Sequence, residues 1–194
     1  MRSVISAALL LALAAPGLAA AQGAPAVPPL GGPLVPGVCL LSVQAVDYNS
    51  KVGKAATARL QELQRTAQAE VSGEEAAIQN DGKALLAQKA TLKPADFDAR
   101  AQALQAREGA LRQKVAIRTQ QWELTRQKAF LRIHGEIDQV VGPIYKAHGC
   151  GLLFDRNSAL NGNFGNDLTK GVLEALDARI TTISFDLEPP PVAR

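Results

Sequence analysis

The most constraining feature of this sequence is an apolar residue that recurs every seven positions, with one interruption. The recurrence lies on both sides of Lys93-Pro94, through Val71, Ile78, Leu85 and Leu92 before it and Phe97, Leu104 and Leu111 after it. An interval of seven marks an apolar seam along one side of a long helix. Proline is tolerated in the first turn of a helix and disfavours helix in the residue before it. We therefore predict two long helices that fold back antiparallel at a tip near residues 93–94.

The same seam continues in the second helix and sets its length. It extends through Ile117, Leu124 and Leu131. His148-Gly149 is typical of a helix end, because glycine often follows the last turn. We predict a hairpin over residues 51–149, with arms of about 40 residues that each reach about 60 Å.

The first 21 residues predict export. Arg2 precedes an apolar run over residues 4–15, and Ala19-Ala20-Ala21 offers the small residues of a cleavage site. The apolar run is shorter than the roughly 20 residues that span a bilayer, which favours a signal peptide cleaved near Ala21 over a retained anchor. The mature chain is then expected in the periplasm, which argues against a nucleic-acid partner.

Short apolar runs flank the hairpin and predict a small β-rich body. Residues 38–43 are typical of a buried strand and residues 151–155 of a strand, and 158–160 is a candidate further strand. We expect residues 47–50 to form a turn and Asn166-Asp167 to cap a last amphipathic helix. The predicted fold class is α+β, with a long antiparallel α-helical hairpin inserted into the body and a short C-terminal helix.

The chain is predicted to have five parts, one of which should self-associate. So small a sheet exposes its edges, and exposed edges need a partner. The predicted parts are a signal peptide at 1–21, a Pro/Gly-rich tether at 22–36, an oligomerisation body at 37–50 and 150–187, the hairpin at 51–149 and a flexible tail at 188–194.

The sequence has two cysteines, Cys39 and Cys150, which flank the whole helical region. The periplasm is oxidising and allows them to pair. A bridge would close about 110 residues and contribute about 4–5 kcal/mol in a chain-entropy treatment. The alternative is two free, buried thiols.

Four segments, in their order around the hairpin, carry a resemblance to a known family. They are residues 40–46, 51–56, 151–155 and 166–169. Their arrangement resembles the Skp (OmpH-like) family of periplasmic chaperones, over residues of about 38 to 180. The resemblance implies a β-rich body that forms a homotrimer, with three hairpins around a cavity. It also implies an ATP-independent holdase that binds unfolded outer-membrane proteins there. This sequence departs from the family in its tether, its cysteine pair and its short arms.

Basic residues are concentrated on the second arm and are the predicted client-binding residues. Residues 107–132 contain two acids, Glu108 and Glu123, against seven bases, a net charge of +5. The bases are Arg107, Arg112, Lys114, Arg118, Arg126, Lys128 and Arg132. Such a field attracts anionic partners, either acidic unfolded clients or a lipid or lipopolysaccharide surface. The alternative is an ordinary solvated helix face.

No catalytic constellation is recognisable, so we predict a protein that is not an enzyme and has no cofactor or metal. His134 and His148 lack the neighbouring ligands of a metal site. Besides the chaperone, the pattern leaves one other function open, a non-catalytic structural or adaptor hairpin of the cell envelope.

Overall fold

The computed structural model describes residues 30–190. The predicted signal peptide, residues 22–29 of the predicted tether and residues 191–194 of the predicted tail lie outside the described residues. The elements are β1 (Val38–Leu41), α1 (Val43–Asn49), α2 (Lys51–Ala87), α3 (Pro94–Ala147), β2 (Leu152–Asp155) and α4 (Thr169–Arg179), with a 3₁₀ turn at Arg156–Ser158. Long helices accompany a two-stranded sheet, which confirms the α+β class.

The sheet pairs two segments that are far apart in the sequence. β1 and β2 run parallel, in a register from Val38 opposite Leu152 to Leu41 opposite Asp155. Parallel neighbours need a crossover connection, and the crossover here is the whole of α1, α2 and α3. On its other edge β1 makes backbone hydrogen bonds of 2.8 and 3.1 Å with residues 166–168. β1 is therefore enclosed on both edges, whereas β2 has no second neighbouring strand within residues 30–190.

A disulfide joins the two ends of the crossover. Cys39 lies in β1 and Cys150 lies just before β2. Their sulfur atoms are bonded, and their Cα atoms are 5.7 Å apart. The two cysteines are 111 positions apart, so the bridge removes much conformational freedom from the unfolded chain, an effect of about 4–5 kcal/mol in a chain-entropy treatment.

α2 and α3 lie antiparallel along each other and are called the helix pair below. Three contacts show the direction: Leu60 to Trp122, Glu70 to Arg118 and Asp81 to Arg107. Pro94 lies in the first turn of α3, and Lys93 before it is extended, as a residue before proline prefers. α3 has 54 residues against 37 in α2. The expected arm of about 40 residues is therefore wrong for α3, because its last turns continue into the buried core.

The buried core lies at one end of the helix pair, in a region called the base below. Beyond Leu60, Ile78 is the only residue of α2 that is buried. Burial of apolar surface contributes about 25 cal/mol per Å², so the base supplies most of the hydrophobic stabilisation. The core comprises Cys39, Leu41, Val46, Val52, Ala56, Ala129, Ile133, Ile137, Leu168, Val172, Leu176 and Ile183.

The segment after β1 differs from the sequence-based expectation, because two serines cap helices there. β1 ends at Leu41 rather than at residue 43, since Ser42 Oγ accepts a hydrogen bond of 3.1 Å from Ala45 N and begins α1. The expected turn at 47–50 is also wrong. α1 continues through most of it, and Ser50 then caps α2. The first backbone N–H groups of a helix have no partner within the helix. A serine hydroxyl oxygen just before the helix can accept a hydrogen bond from one of them, which favours a helix start at that serine.

The segment after β2 contains one wrong expectation and one that is met only in part. Residues 158–160 do not form a strand. Instead Asp155 Oδ1 accepts a backbone hydrogen bond of 3.0 Å, and the 3₁₀ turn at Arg156–Ser158 follows. Asp167 Oδ1 accepts a hydrogen bond of 2.9 Å from the backbone N of Thr169, the first residue of α4, and so stabilises the start of that helix. The capping residue itself is Leu168.

Gly53 is required where α1 meets α2. A Cβ atom at this position would overlap the carbonyl oxygen of Asp47. We expect Gly53→Ala to lower the free energy of unfolding by about 3 kcal/mol, because backbone would have to move. The matched control is Gly73→Ala, which has open space around it in α2. It should raise the free energy of unfolding by about 1 kcal/mol. Urea unfolding at one protein concentration measures both, and equal effects would contradict this reading.

Candidate functional site

The seven predicted basic residues all lie on α3, and three of them reach across to α2. The cross-helix pairs are Arg107–Asp81, Lys114–Glu70 at 2.7 Å, Lys114–Glu74 at 3.0 Å and Arg118–Glu70 at 3.0 Å. The acids of α2 thus neutralise part of the positive charge of α3. Because little apolar surface is buried here, these pairs help to fix how the two helices align.

Glu70 is the centre of this network. The Lys114 ammonium, and after it the Arg118 guanidinium, hold the pKa of Glu70 below its usual range. Glu70, and after it Glu74, raise the pKa of Lys114. The side chains keep 32–42% of their surface exposed, so solvent screening keeps each pair modest in strength.

The three basic residues nearest the base contact other partners. Arg126 pairs with Glu123 on its own helix at 3.4 Å. Lys128 pairs with Glu188 at 2.6 Å, and Arg132 donates a hydrogen bond of 2.9 Å to the Ser184 carbonyl. Arg112 makes no ion pair with any residue that the structure describes. The seven residues therefore do not form one free basic field, and Arg112 and Arg126 are the two that neither reach α2 nor bind the C-terminal segment.

Apolar side chains remain partly open along the helix pair. Val71, Leu111 and Val115 line a groove between the helices that Arg112 borders, and Val115 is 40% exposed. Nearer the base, Trp122 lines a second groove. The apolar seam predicted from the sequence is thus present along the part of the helix pair between the base and the tip, but it is shallow and accessible to solvent.

The seam changes position towards the base. The buried positions of α3 there are four residues apart: Gln121, Thr125, Ala129, Ile133 and Ile137. Leu131, expected in the seam from the interval of seven, is instead 60% exposed. That expectation is wrong because α4 and the C-terminal segment, rather than α2 alone, cover this part of α3.

Sequence reasoning missed the C-terminal segment, residues 183–188, which we call the strap. Glu188 was expected in a flexible tail, but its backbone and side chain bind three residues of α3. Ile183 is buried, Phe185 and Leu187 are partly buried, and Ser184 and Asp186 between them are exposed. This alternation is the signal that could have revealed an extended segment packed on the protein.

The free edge of the sheet forms a second surface feature. Leu152, Leu153 and Phe154 of β2 are 56%, 37% and 51% exposed. Leu160, a few residues later, is fully exposed. An apolar strand with an open hydrogen-bonding edge is a ready interface for another chain.

Neither histidine lies in a group of side chains that could bind a metal ion within the described residues. His134 Nε2 lies 2.9 Å from Asp47 Oδ2, and burial raises the pKa of Asp47 against the opposing effect of His134. His148 follows the last turn of α3 and is exposed. Within residues 30–190, no group of three acidic, histidine or cysteine side chains could hold a metal ion. No helix in the same range is both long and apolar enough to cross a bilayer.

Comparison with known proteins gives one family and a solved relative. The sequence matches the family model "Outer membrane protein (OmpH-like)" over residues 37–176. A crystal structure of a candidate outer membrane chaperone (OmpH-like) from Caulobacter crescentus CB15 is 39% identical to this chain, with a TM-score of 0.77. The alignment covers 81% of this chain and 94% of that chain. The search of curated proteins found no match.

The network around Glu70 predicts a specific pH dependence. Since Lys114 lowers the pKa of Glu70, the folded chain favours the charged carboxylate. Its contribution is present above the usual glutamate pKa of about 4.3 and is lost as the pH falls through the folded value. Glu70→Gln should therefore lower the urea midpoint at pH 7, and its difference from wild type should be smaller at pH 3.

Glu75→Gln is the matched control, because Glu75 makes no ion pair among the described residues of the chain. Its midpoint should follow that of wild type at both pH values. An equal loss for Glu70→Gln at pH 7 and pH 3 would show that the network contributes by packing and not by charge.

Proposed function

The chain belongs to the OmpH-like outer membrane protein family, a family of periplasmic chaperones rather than of enzymes, and on that premise we propose that it is an ATP-independent holdase. Its clients would be unfolded outer-membrane proteins. They would bind in a cavity between helix pairs after this chain has been exported and its signal peptide cleaved near Ala21.

The observation that carries the proposal is the long helix pair with a shallow, accessible seam. A globular core hides its apolar residues, whereas here Val71, Leu111 and Val115 line an open groove that charged side chains border. Many weak apolar and ionic contacts over a long surface suit an unfolded chain, which has no fixed shape to match. Tight, specific sites are instead concave and few.

The open edge of β2 supports self-association, and we propose a homotrimer. Leu153 and Phe154 would be covered by a second copy, and the base would then hold several helix pairs around one space. The base is the right place for such an interface, because it contains the buried core and the disulfide. The helix pairs are left free to contact a client.

Only some of the seven basic residues are free of contacts with α2 and the strap, and these are the ones that we propose bind a client. Of the seven basic residues, Arg107, Lys114 and Arg118 already pair with α2, so reversing them would disturb the helix pair itself. Arg112 and Arg126 are the residues that we propose meet acidic client segments first. The same two charges would also attract anionic lipid or lipopolysaccharide.

We expect Arg112→Glu with Arg126→Glu to weaken client holding about fivefold, since exposed ion pairs contribute about 0.2–1 kcal/mol each. The measurement is the protein concentration that halves light scattering when an acidic, urea-unfolded outer-membrane barrel protein is diluted. The matched control is Lys54→Glu with Lys170→Glu, which makes the same charge change on the base and should leave holding unchanged.

Each result of this assay has a definite meaning. Wild-type protein that leaves aggregation unchanged would contradict the holdase, and an envelope adaptor would become the better explanation. Holding by wild type together with equal weakening in both double variants would retain the holdase and reject the two arginines as its contacts. Anionic vesicles that restore aggregation would show that lipid competes for the same charges.

A further inference from the structure

The strap binds the helix pair through contacts that would suit other peptides as well. Four hydrogen bonds reach its backbone rather than its side chains. The carbonyls of Ser184, Phe185 and Glu188 accept from Arg132, Arg59 and Gln121 at 2.9, 3.2 and 2.6 Å, and Glu188 N donates to Thr125 Oγ1 at 2.9 Å. Backbone contacts of this kind can form with any extended chain.

The α3 residues under the strap are unusual for a buried stripe. Gln121 is 6% and Thr125 is 1% exposed, although both are polar. A buried polar side chain is costly unless it makes hydrogen bonds. Here the partners are the strap backbone, the Arg118 guanidinium that donates to Gln121 Oε1 at 3.1 Å, and an internal bond from Thr125 Oγ1 to the Gln121 carbonyl. Each of the two buried side chains thus has one partner in the extended backbone that lies across it.

The remaining contacts define which side chains the surface accepts. Phe185 and Leu187 face the helices, and Lys128 and Arg59 bind the carboxylates of Glu188 and Asp186 at 2.6 Å each. The surface therefore selects an extended segment in which apolar and acidic residues are interleaved. The family model matches residues 37–176, so the strap lies beyond the matched range.

We propose that this surface, formed by Arg59, Gln121, Thr125, Lys128 and Arg132, is a binding groove for extended peptides with interleaved apolar and acidic residues. The strap is its resident ligand within the same chain. Being tethered, it competes at an effective concentration in the millimolar range and keeps weaker peptides out. The groove as a client-binding surface rests on the proposed holdase function, whereas its binding of peptide does not.

The experiment uses the full chain and a fluorescent peptide with the sequence of residues 182–190. The double variant Asp186→Lys with Glu188→Lys puts positive charges of the strap next to Arg59 and Lys128. The repulsion between like charges should weaken binding of the strap to the helix pair. We expect this variant to bind the peptide about tenfold more tightly than wild type in fluorescence anisotropy. Adding Lys128→Glu should remove most of the gain. Asp138→Lys with Glu174→Lys makes the same charge change away from the strap and should bind as wild type does.

A second measurement on the wild-type chain covers the case in which the strap variant does not fold. An excess of unlabelled peptide should displace the strap and accelerate amide hydrogen exchange at Glu188, whose N–H donates to Thr125 Oγ1. A peptide carrying lysine in place of its two acids should not. The proposed groove would be contradicted if the strap variant folds but binds the peptide no more tightly than wild type. It would also be contradicted if no peptide changes the hydrogen exchange of the strap. Either result would leave the aggregation assay, and hence the holdase proposal, unaffected.

Discussion

The rest of the structure depends on the parallel pairing of β1 with β2. Two strands of four residues each cannot hold together by themselves, and a long crossover separates them in sequence. The Cys39–Cys150 disulfide lies beside this pairing and keeps the ends of the crossover adjacent even when the short sheet opens. The two ends of the helix pair at the base are thereby anchored at one place, so α2 can extend away from the core over 37 residues and α3 can return to it.

Stability is distributed unevenly along the molecule as a result. At the base, Ile133 and Ile137 of α3 pack into a buried apolar core with α4. Further from the base, ion pairs such as Lys114–Glu70 take the place of most of this apolar burial. These ion pairs are exposed to solvent, so each contributes less to stability than a buried apolar side chain does. Segments with few buried contacts open at lower free energy than the core does. Such a gradient suits a base that holds its shape and a helix pair that adapts to what it contacts.

Local chemistry made much of the fold predictable, and tertiary packing decided the rest. Pro94 restricts the backbone and Gly149 permits the positive φ that follows the helix end, so the tip and the end of α3 follow from the sequence. Ser42 was misread because valine-rich residues around it favour a strand, and only the serine cap turns the chain into α1. Leu131 and Glu188 were misread for a different reason: which face of α3 is covered depends on a strap that joins it from more than 50 residues away. Likewise, the basic residues were visible, but their pairing with α2 required the register of the helix pair.

The proposed function requires a base that self-associates and thereby holds several helix pairs around an unfolded client. Native mass spectrometry of the mature chain, mixed with a urea-unfolded outer-membrane barrel protein and diluted, tests it most directly. We expect a complex of three copies with one client, and a trimer when the client is omitted. A chain that remains a monomer in both samples, with no client bound, would contradict it.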